Sequence, residues 1–247
     1  MGGQLEACVI GASGGIGCAI AEALLASPQV ARLYITARSP AALSDALRGG
    51  SGVHALSLDV TDETSIETAA RTIAGQARGL DLVFVTTGLL HDAQLQPEKR
   101  LRQLSAEGLS RSLTVNAVGP ALVAKHFLPL LRRPGKSVFA ALSARVGSIE
   151  DNQLGGWYGY RASKAALNML LRTAAIELAR THPEAVCVGL HPGTVDSALS
   201  SPFQRGVPPE RLFTPAFSAQ KLLRVVASLD ADDSGQLFAW DGQRIPF

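Results

Sequence analysis

Short, nearly continuous apolar runs alternate with longer segments of helical period from one end of this 247-residue chain to the other. The runs are LEACVIGA (5–12), RLYITAR (32–38), VHALSLDV (53–60), LDLVFVTTG (80–88), KSVFAALS (136–143), AVCVGLHPG (185–193) and GQLFAWDG (235–242). A strand apolar on both faces belongs in a sheet covered on both sides. Helical segments at 15–26, 62–78, 98–131, 160–181 and 215–229 supply the cover. Strand followed by helix, repeated throughout, predicts an α/β fold: a single-domain, Rossmann-type, doubly wound parallel sheet with right-handed crossovers and helices on both faces. No linker or internal repeat divides it, so residues 1–247 read as one domain. The proline-rich stretch 200–215 is the one long irregular segment, a length typical of a binding flap.

A formal net charge of +2 gives no reason to expect nucleic acid as a partner. No run approaches the roughly 18 apolar residues of a membrane span, and the opening MGGQLEACVI lacks a leader's basic and apolar regions. Three cysteines, Cys8, Cys18 and Cys187, have no paired spacing, which suits a reducing compartment and predicts a cytoplasmic protein. The histidines show no metal-ligand spacing, so no metal is expected.

The first strand-to-helix turn, VIGASGGIGCAI, carries Gly11, Gly15 and Gly17 in the pattern GxxxGxG. Bare backbone there permits a tight turn, close approach of a pyrophosphate and close helix–strand packing. The helix N-terminus that follows offers free N–H groups to phosphates. The Walker spacing is absent, which favours a dinucleotide over ATP. At the end of the second strand, Ala37 stands where an acid would bind ribose hydroxyls, and Arg38 follows. An arginine there accommodates a 2′-phosphate, so NADP(H) is the expected cofactor.

Tyr158, Tyr160 and Lys164 lie close together in WYGYRASKAALNML. Only Tyr160 stands four residues before Lys164, the spacing that puts two side chains on one helix face. With the glycine turn, this YRASK segment, HPGTVDSALSSPF and the closing WDGQRIPF, the chain resembles the short-chain dehydrogenase/reductase family along essentially its whole length, in the carbonyl-reductase-like branch that includes the C-factor-type proteins. The resemblance implies a catalytic tetrad of Asn116, Ser143, Tyr160 and Lys164, with Ser143 lying 17 residues before Tyr160. It implies that Asp59 contacts the adenine and that HPGTV (191–195) flanks the nicotinamide. The expected cofactor shell is Gly11, Ser13, Gly15, Ile16, Gly17, Arg38, Asp59, Val60, Thr87, Gly88, Tyr160, Lys164, Pro192, Gly193, Thr194 and Val195.

A free tyrosine titrates near 10, and a neighbouring ammonium, together with an oxidised nicotinamide, is expected to lower that value. Tyr160 would then exchange a proton with a carbonyl or alcohol, Ser143 would hold the same oxygen, and Asn116 would support a proton relay. Two departures stand out. The family's NNAG is VTTG here (Val85–Gly88), with Thr86 in place of a bracing asparagine, and its threonine before the first glycine is Ile10. They keep open a second reading, an NADP(H)-sensing module that signals through a partner. The substrate is expected among 89–96, 144–158 and 194–213, against Leu154, Trp157, Tyr158, Leu199, Phe203 and Phe213, which suits a small apolar or aromatic carbonyl compound. The resemblance further implies a homodimer or homotetramer.

Overall fold

The period-2 geometry of a strand sends alternate side chains to opposite faces, and here both faces are apolar. In β1 (Leu5–Ile10), Ala7 and Val9 enter one core while Cys8 and Ile10 enter the other. β4 (Leu82–Val85) sends Phe84 to the first core and Val83 and Val85 to the second, and β5 (Val138–Leu142) divides its residues the same way. The computed structural model describes residues 4–247, so the first three residues, part of the opening read for a leader and of the 1–247 domain, lie outside the described residues.

The other parallel strands are β2 (Val30–Ala37), β3 (Val53–Ser57), β6 (Val186–His191) and β9 (Leu237–Ala239). A short pair, β7 (Thr194–Val195) and β8 (Leu212–Phe213), forms a separate ribbon across the flap, and β10 (Arg244–Ile245) closes the main sheet antiparallel to β9. The order is β10-β9-β6-β5-β4-β1-β2-β3. The chain therefore winds outward from β1 in one direction and restarts at β4 in the other. That reversal leaves a crevice above the carboxyl ends of β1 and β4, the usual ligand position in such sheets.

On one face lie α1 (Gly15–Leu25), the single turn α2 (Asp45–Arg48) and α7 (Pro215–Ser228). On the other lie α3 (Glu63–Ala74), α4 (Ala106–Leu113), α5 (Gly119–Phe127) and α6 (Tyr158–Leu178). Side-chain caps start several of them: Asp62 accepts from Thr64 N at 3.0 Å, Ser105 from Gly108 N at 3.0 Å and Thr214 from Phe217 N at 3.1 Å.

The helix expected over 98–131 is four consecutive pieces, α4, a π-turn, α5 and a 3₁₀ turn. The Ser105 cap delays its start, and Pro129 turns its end into a 3₁₀ turn over Leu128–Leu130. Between α4 and α5 the backbone widens into a π-turn at Thr114–Val118, which carries Asn116. Such turns recur at functional sites. The expected strand ends at 86–88 and 192–193 are loop, where the chain leaves the sheet for the crevice. Among the described residues no helix is long and apolar enough to cross a membrane.

Candidate active site

Three adjoining cavities of about 640, 470 and 350 Å³ run along the crevice. The first is bounded by Gly11, Ser13, Arg38, Asp59, Val60, Thr87 and Gly88. The second carries Gly15, Ile16, Gly17, Ser143, Tyr160, Lys164 and Pro192 and shares Arg38, Thr87 and Gly88 with the first. Gly193, Thr194 and Val195 line the third, which shares Ser143 and Tyr160 with the second. The structure thus brings every expected cofactor residue to one continuous groove.

The glycine turn is built by contact. Gly11 has φ +90°, a conformation that side chains rarely adopt. A Cβ on Gly17 would lie 2.4 Å from Gly11 O and 2.5 Å from Thr86 Oγ1, so α1, the turn and the residue that follows β4 already touch. Thr86 supplies the brace that VTTG put in question: its hydroxyl donates to Ile10 O at 2.8 Å, with Gly11 O at 3.1 Å. Gly14 enters α1 with no side-chain cap, leaving the first N–H groups of the helix directed at the groove. The buried Thr87 Oγ1 has no partner within the protein.

Arg38 is exposed at the mouth of both cofactor-sized cavities. Burial alone would raise the Asp59 carboxyl, but hydrogen bonds from the Thr61 amide (2.9 Å) and hydroxyl (2.7 Å), with the charge of Arg38, hold it below the ordinary carboxylate range. Asp59 therefore stays ionised beside Val60 at the end of the third strand run.

Tyr160 and Lys164 share one face of α6, with Lys164 Nζ 5.8 Å from the tyrosine ring centre. Lys164 is buried and donates to Leu142 O at 2.8 Å. Loss of water pushes its ammonium down to about 8 and the Tyr160 hydroxyl up to about 12. The lowering expected for tyrosine is thus not found in the free site. The ammonium is hydrogen-bonded to the Leu142 carbonyl, and burial dominates.

Asn116, fully buried, donates to Leu89 O (2.7 Å) and Ser163 Oγ (3.1 Å) and accepts from Leu89 N (2.7 Å). It lines none of the three cavities itself but stands behind Gly88, where an added Cβ would lie 3.6 Å from its Oδ1 and 3.8 Å from Lys164 Nζ. Ser143, at the end of β5, donates to Asn168 Oδ1 at 2.6 Å.

The third cavity has an aromatic wall. Trp157 meets Phe203 edge to face at 5.1 Å, and Phe203 meets His91 at 5.4 Å. Trp157, Leu199 and Phe203 line it as expected, but Leu154, Tyr158 and Phe213 do not. Tyr158 is 37% exposed because residues two apart on a helix point to different sides. Leu154 is 92% exposed, and Phe213 packs instead on Phe217 and Trp240 (ring centres 4.8 and 4.6 Å). His191, also in the wall, is pushed down to about 4 by burial first and by Arg145 second, so it is neutral near pH 7.

Two residues that the sequence did not single out complete the site. Asn168 is one. Glu98 is the other: its buried carboxylate accepts from Gly159 N at 3.0 Å, and its carbonyl accepts from Trp157 N. It therefore caps α6 from 61 residues away, in place of the left-handed Trp157 (φ 51°), which offers no side-chain cap. No local spacing betrays such a partner. Glu98→Ala should lower stability by about 1–3 kcal/mol, the cost of a buried unpaired N–H. Glu98→Gln, which keeps an acceptor, should retain most of it, as thermal unfolding would show.

A doubly wound sheet with a glycine turn at its switch point, beside a helix bearing a tyrosine and a lysine one turn apart, marks a Rossmann-type oxidoreductase. The family profile described as short chain dehydrogenase matches residues 6–207, and the chain belongs to that family, in its carbonyl-reductase-like branch. An uncharacterized oxidoreductase of Schizosaccharomyces pombe is 27% identical over 252 residues, covering 97% of this chain and 96% of that one. The C-signal protein of Myxococcus xanthus is 36% identical over 140 residues, 56% of this chain and 78% of its own. The NADPH-bound carbonyl reductase from chicken fatty liver superposes with a TM-score of 0.86 at 28% identity, covering 100% of this chain and 96% of that one.

Proposed function

We propose that the protein is an NADP(H)-dependent oxidoreductase that interconverts a carbonyl and an alcohol on a small apolar or aromatic substrate, with Tyr160 as general acid/base. The observation that carries this reading is the placement of Tyr160 and Ser143 on a wall common to the glycine-turn groove and the aromatic cavity. The groove fits the cofactor: its backbone is bare where a pyrophosphate must approach, a helix N-terminus faces it, and the orphaned Thr87 hydroxyl supplies a donor. The NADPH bound in the chicken fatty liver carbonyl reductase agrees with this choice.

When bound, the nicotinamide supplies or accepts the hydride. The protein handles the proton. A Tyr160 hydroxyl pushed up to about 12 is protonated at neutral pH and can donate to a carbonyl oxygen. Lys164, still largely ammonium at pH 7 with a value of about 8, stabilises the phenolate that donation leaves behind. Ser143 holds the same substrate oxygen. Asn116, fixed to both polar groups of Leu89, anchors the route by which the tyrosine proton is replaced. The aromatic wall excludes water and favours a flat or apolar substituent.

Arg38 is assigned the 2′-phosphate because it stands free at the groove mouth with Ala37, rather than an acid, before it. Calorimetric titration should show NADPH binding weakened by at least ~10-fold, about 1.4 kcal/mol, in Arg38→Ala. NADH binding should change little. Equal weakening of both would remove the assignment. The exposed face of α5 and α6, where a groove of about 580 Å³ runs beside the 40%-exposed Leu170, is where copies would pair in a homodimer or homotetramer.

A further inference from the structure

Asn168 stands one turn beyond Lys164 on α6, on the same side of the helix, and is 4% exposed. Its Oδ1 accepts the Ser143 hydroxyl at 2.6 Å, and its Nδ2 is buried with no partner. Gly189 of β6 lies against the pair: a Cβ there would sit 3.5 Å from Asn168 Oδ1 and 3.5 Å from Ser143 Cβ, both ordinary contacts, and 3.1 Å from Leu237 Cδ1. The amide is therefore half satisfied, and its unsatisfied half is a donor.

This arrangement has a chemical consequence. Ser143 has one hydroxyl proton, and here it is directed at Asn168, so the serine offers only lone pairs to the cavity. A substrate carbonyl oxygen also offers only lone pairs, and two facing acceptors repel. Turning the Asn168 amide end for end would place Nδ2 on Ser143 Oγ. That supplies the orphaned donor with a partner, leaves Oδ1 in the donor's former place, and frees the hydroxyl to donate to the carbonyl.

We propose that Asn168 is a positioning residue that sets the polarity of Ser143, holding its hydroxyl proton in the free site and donating to its oxygen when a carbonyl compound binds. This rests on the oxidoreductase reading above. No covalent bond changes and no proton leaves Ser143 Oγ; only hydrogen-bond partners are exchanged.

The test is a double-mutant cycle in carbonyl reduction with NADPH, using Ser143→Ala, Asn168→Leu and the combination. Asn168→Asp is added and assayed above the pH at which its buried carboxyl ionises, where it can accept but not donate. Thermal unfolding and NADPH affinity are measured for each. Asn168→Leu should lower kcat about 10-fold through a misoriented hydroxyl, with NADPH affinity unchanged. In the Ser143→Ala background the same change should cost less than ~2-fold, because coupled residues are not additive. Asn168→Asp should cost about 10²-fold, as for loss of a donor to the reacting oxygen.

Equal losses from Asn168→Leu in both backgrounds would mean that it acts by packing alone and would overturn the proposal. So would an Asn168→Asp variant as active as the unsubstituted protein. Carbonyl turnover absent from the unsubstituted protein itself would remove the oxidoreductase reading and this inference with it. If Asn168→Asp does not fold, the leucine cycle still decides.

Discussion

Tyr160→Phe is expected to lower kcat for carbonyl reduction by about 10²–10⁴-fold, the usual contribution of a positioned general acid. NADPH affinity should stay within about 3-fold, less than 0.7 kcal/mol. The substitution removes one oxygen and leaves the ring, so the edge-to-face contact with Trp157 at 6.3 Å is retained. Another hydroxyl on this wall, Ser143, has its proton directed at Asn168. A variant that kept near-normal turnover would show that the proton comes from elsewhere and that Tyr160 is part of the wall only.

Gly17→Ala should have the largest effect on cofactor binding. Its Cβ would fall 2.4 Å from Gly11 O and 2.5 Å from Thr86 Oγ1, inside the contact distance of any real side chain. The first obstacle is backbone, held in turn by the Thr86 hydroxyl, so it cannot swing aside as a flexible side chain would. Relief requires the first turn of α1 to move away from β1, carrying its N–H groups out of line with the groove. NADPH affinity should fall more than ~100-fold, about 2.7 kcal/mol. Overpacking of this kind should also cost about 1–3 kcal/mol of stability. Gly14→Ala is the control for stability: a Cβ there lies 3.5 Å from Gly11 O, an ordinary contact, and φ is −80°. Its thermal midpoint should match that of the unsubstituted protein, and a matching midpoint for Gly17→Ala would contradict the packing argument.

The doubly wound sheet was legible because both of its faces are covered, which writes each parallel strand as a continuous apolar run. Short elements escaped. β7, β8 and β10 have two residues each, too few to show any period. The π-turn at Asn116 was invisible for a related reason: it inserts into a helical pattern without breaking its apolar face. The positions that line the groove could be read because spacing carries them, Tyr160 to Lys164 along one helix and Gly11 to Gly17 along one turn. Their supports could not. Glu98 reaches α6 across 61 residues, and Asn168 meets Ser143 across 25. The direction of the Tyr160 shift was missed because it depends on burial and on where Lys164 Nζ points. A lysine four residues away specifies neither.

The most direct test of the oxidoreductase account follows NADPH absorbance as the unsubstituted protein is given a panel of aromatic and aliphatic aldehydes and ketones, with Tyr160→Phe run beside it. The account predicts NADPH consumption that is fastest with small aromatic carbonyl compounds and lost in Tyr160→Phe. Tight NADPH binding without consumption of any carbonyl compound would contradict it, and would leave the groove as a nucleotide-sensing site.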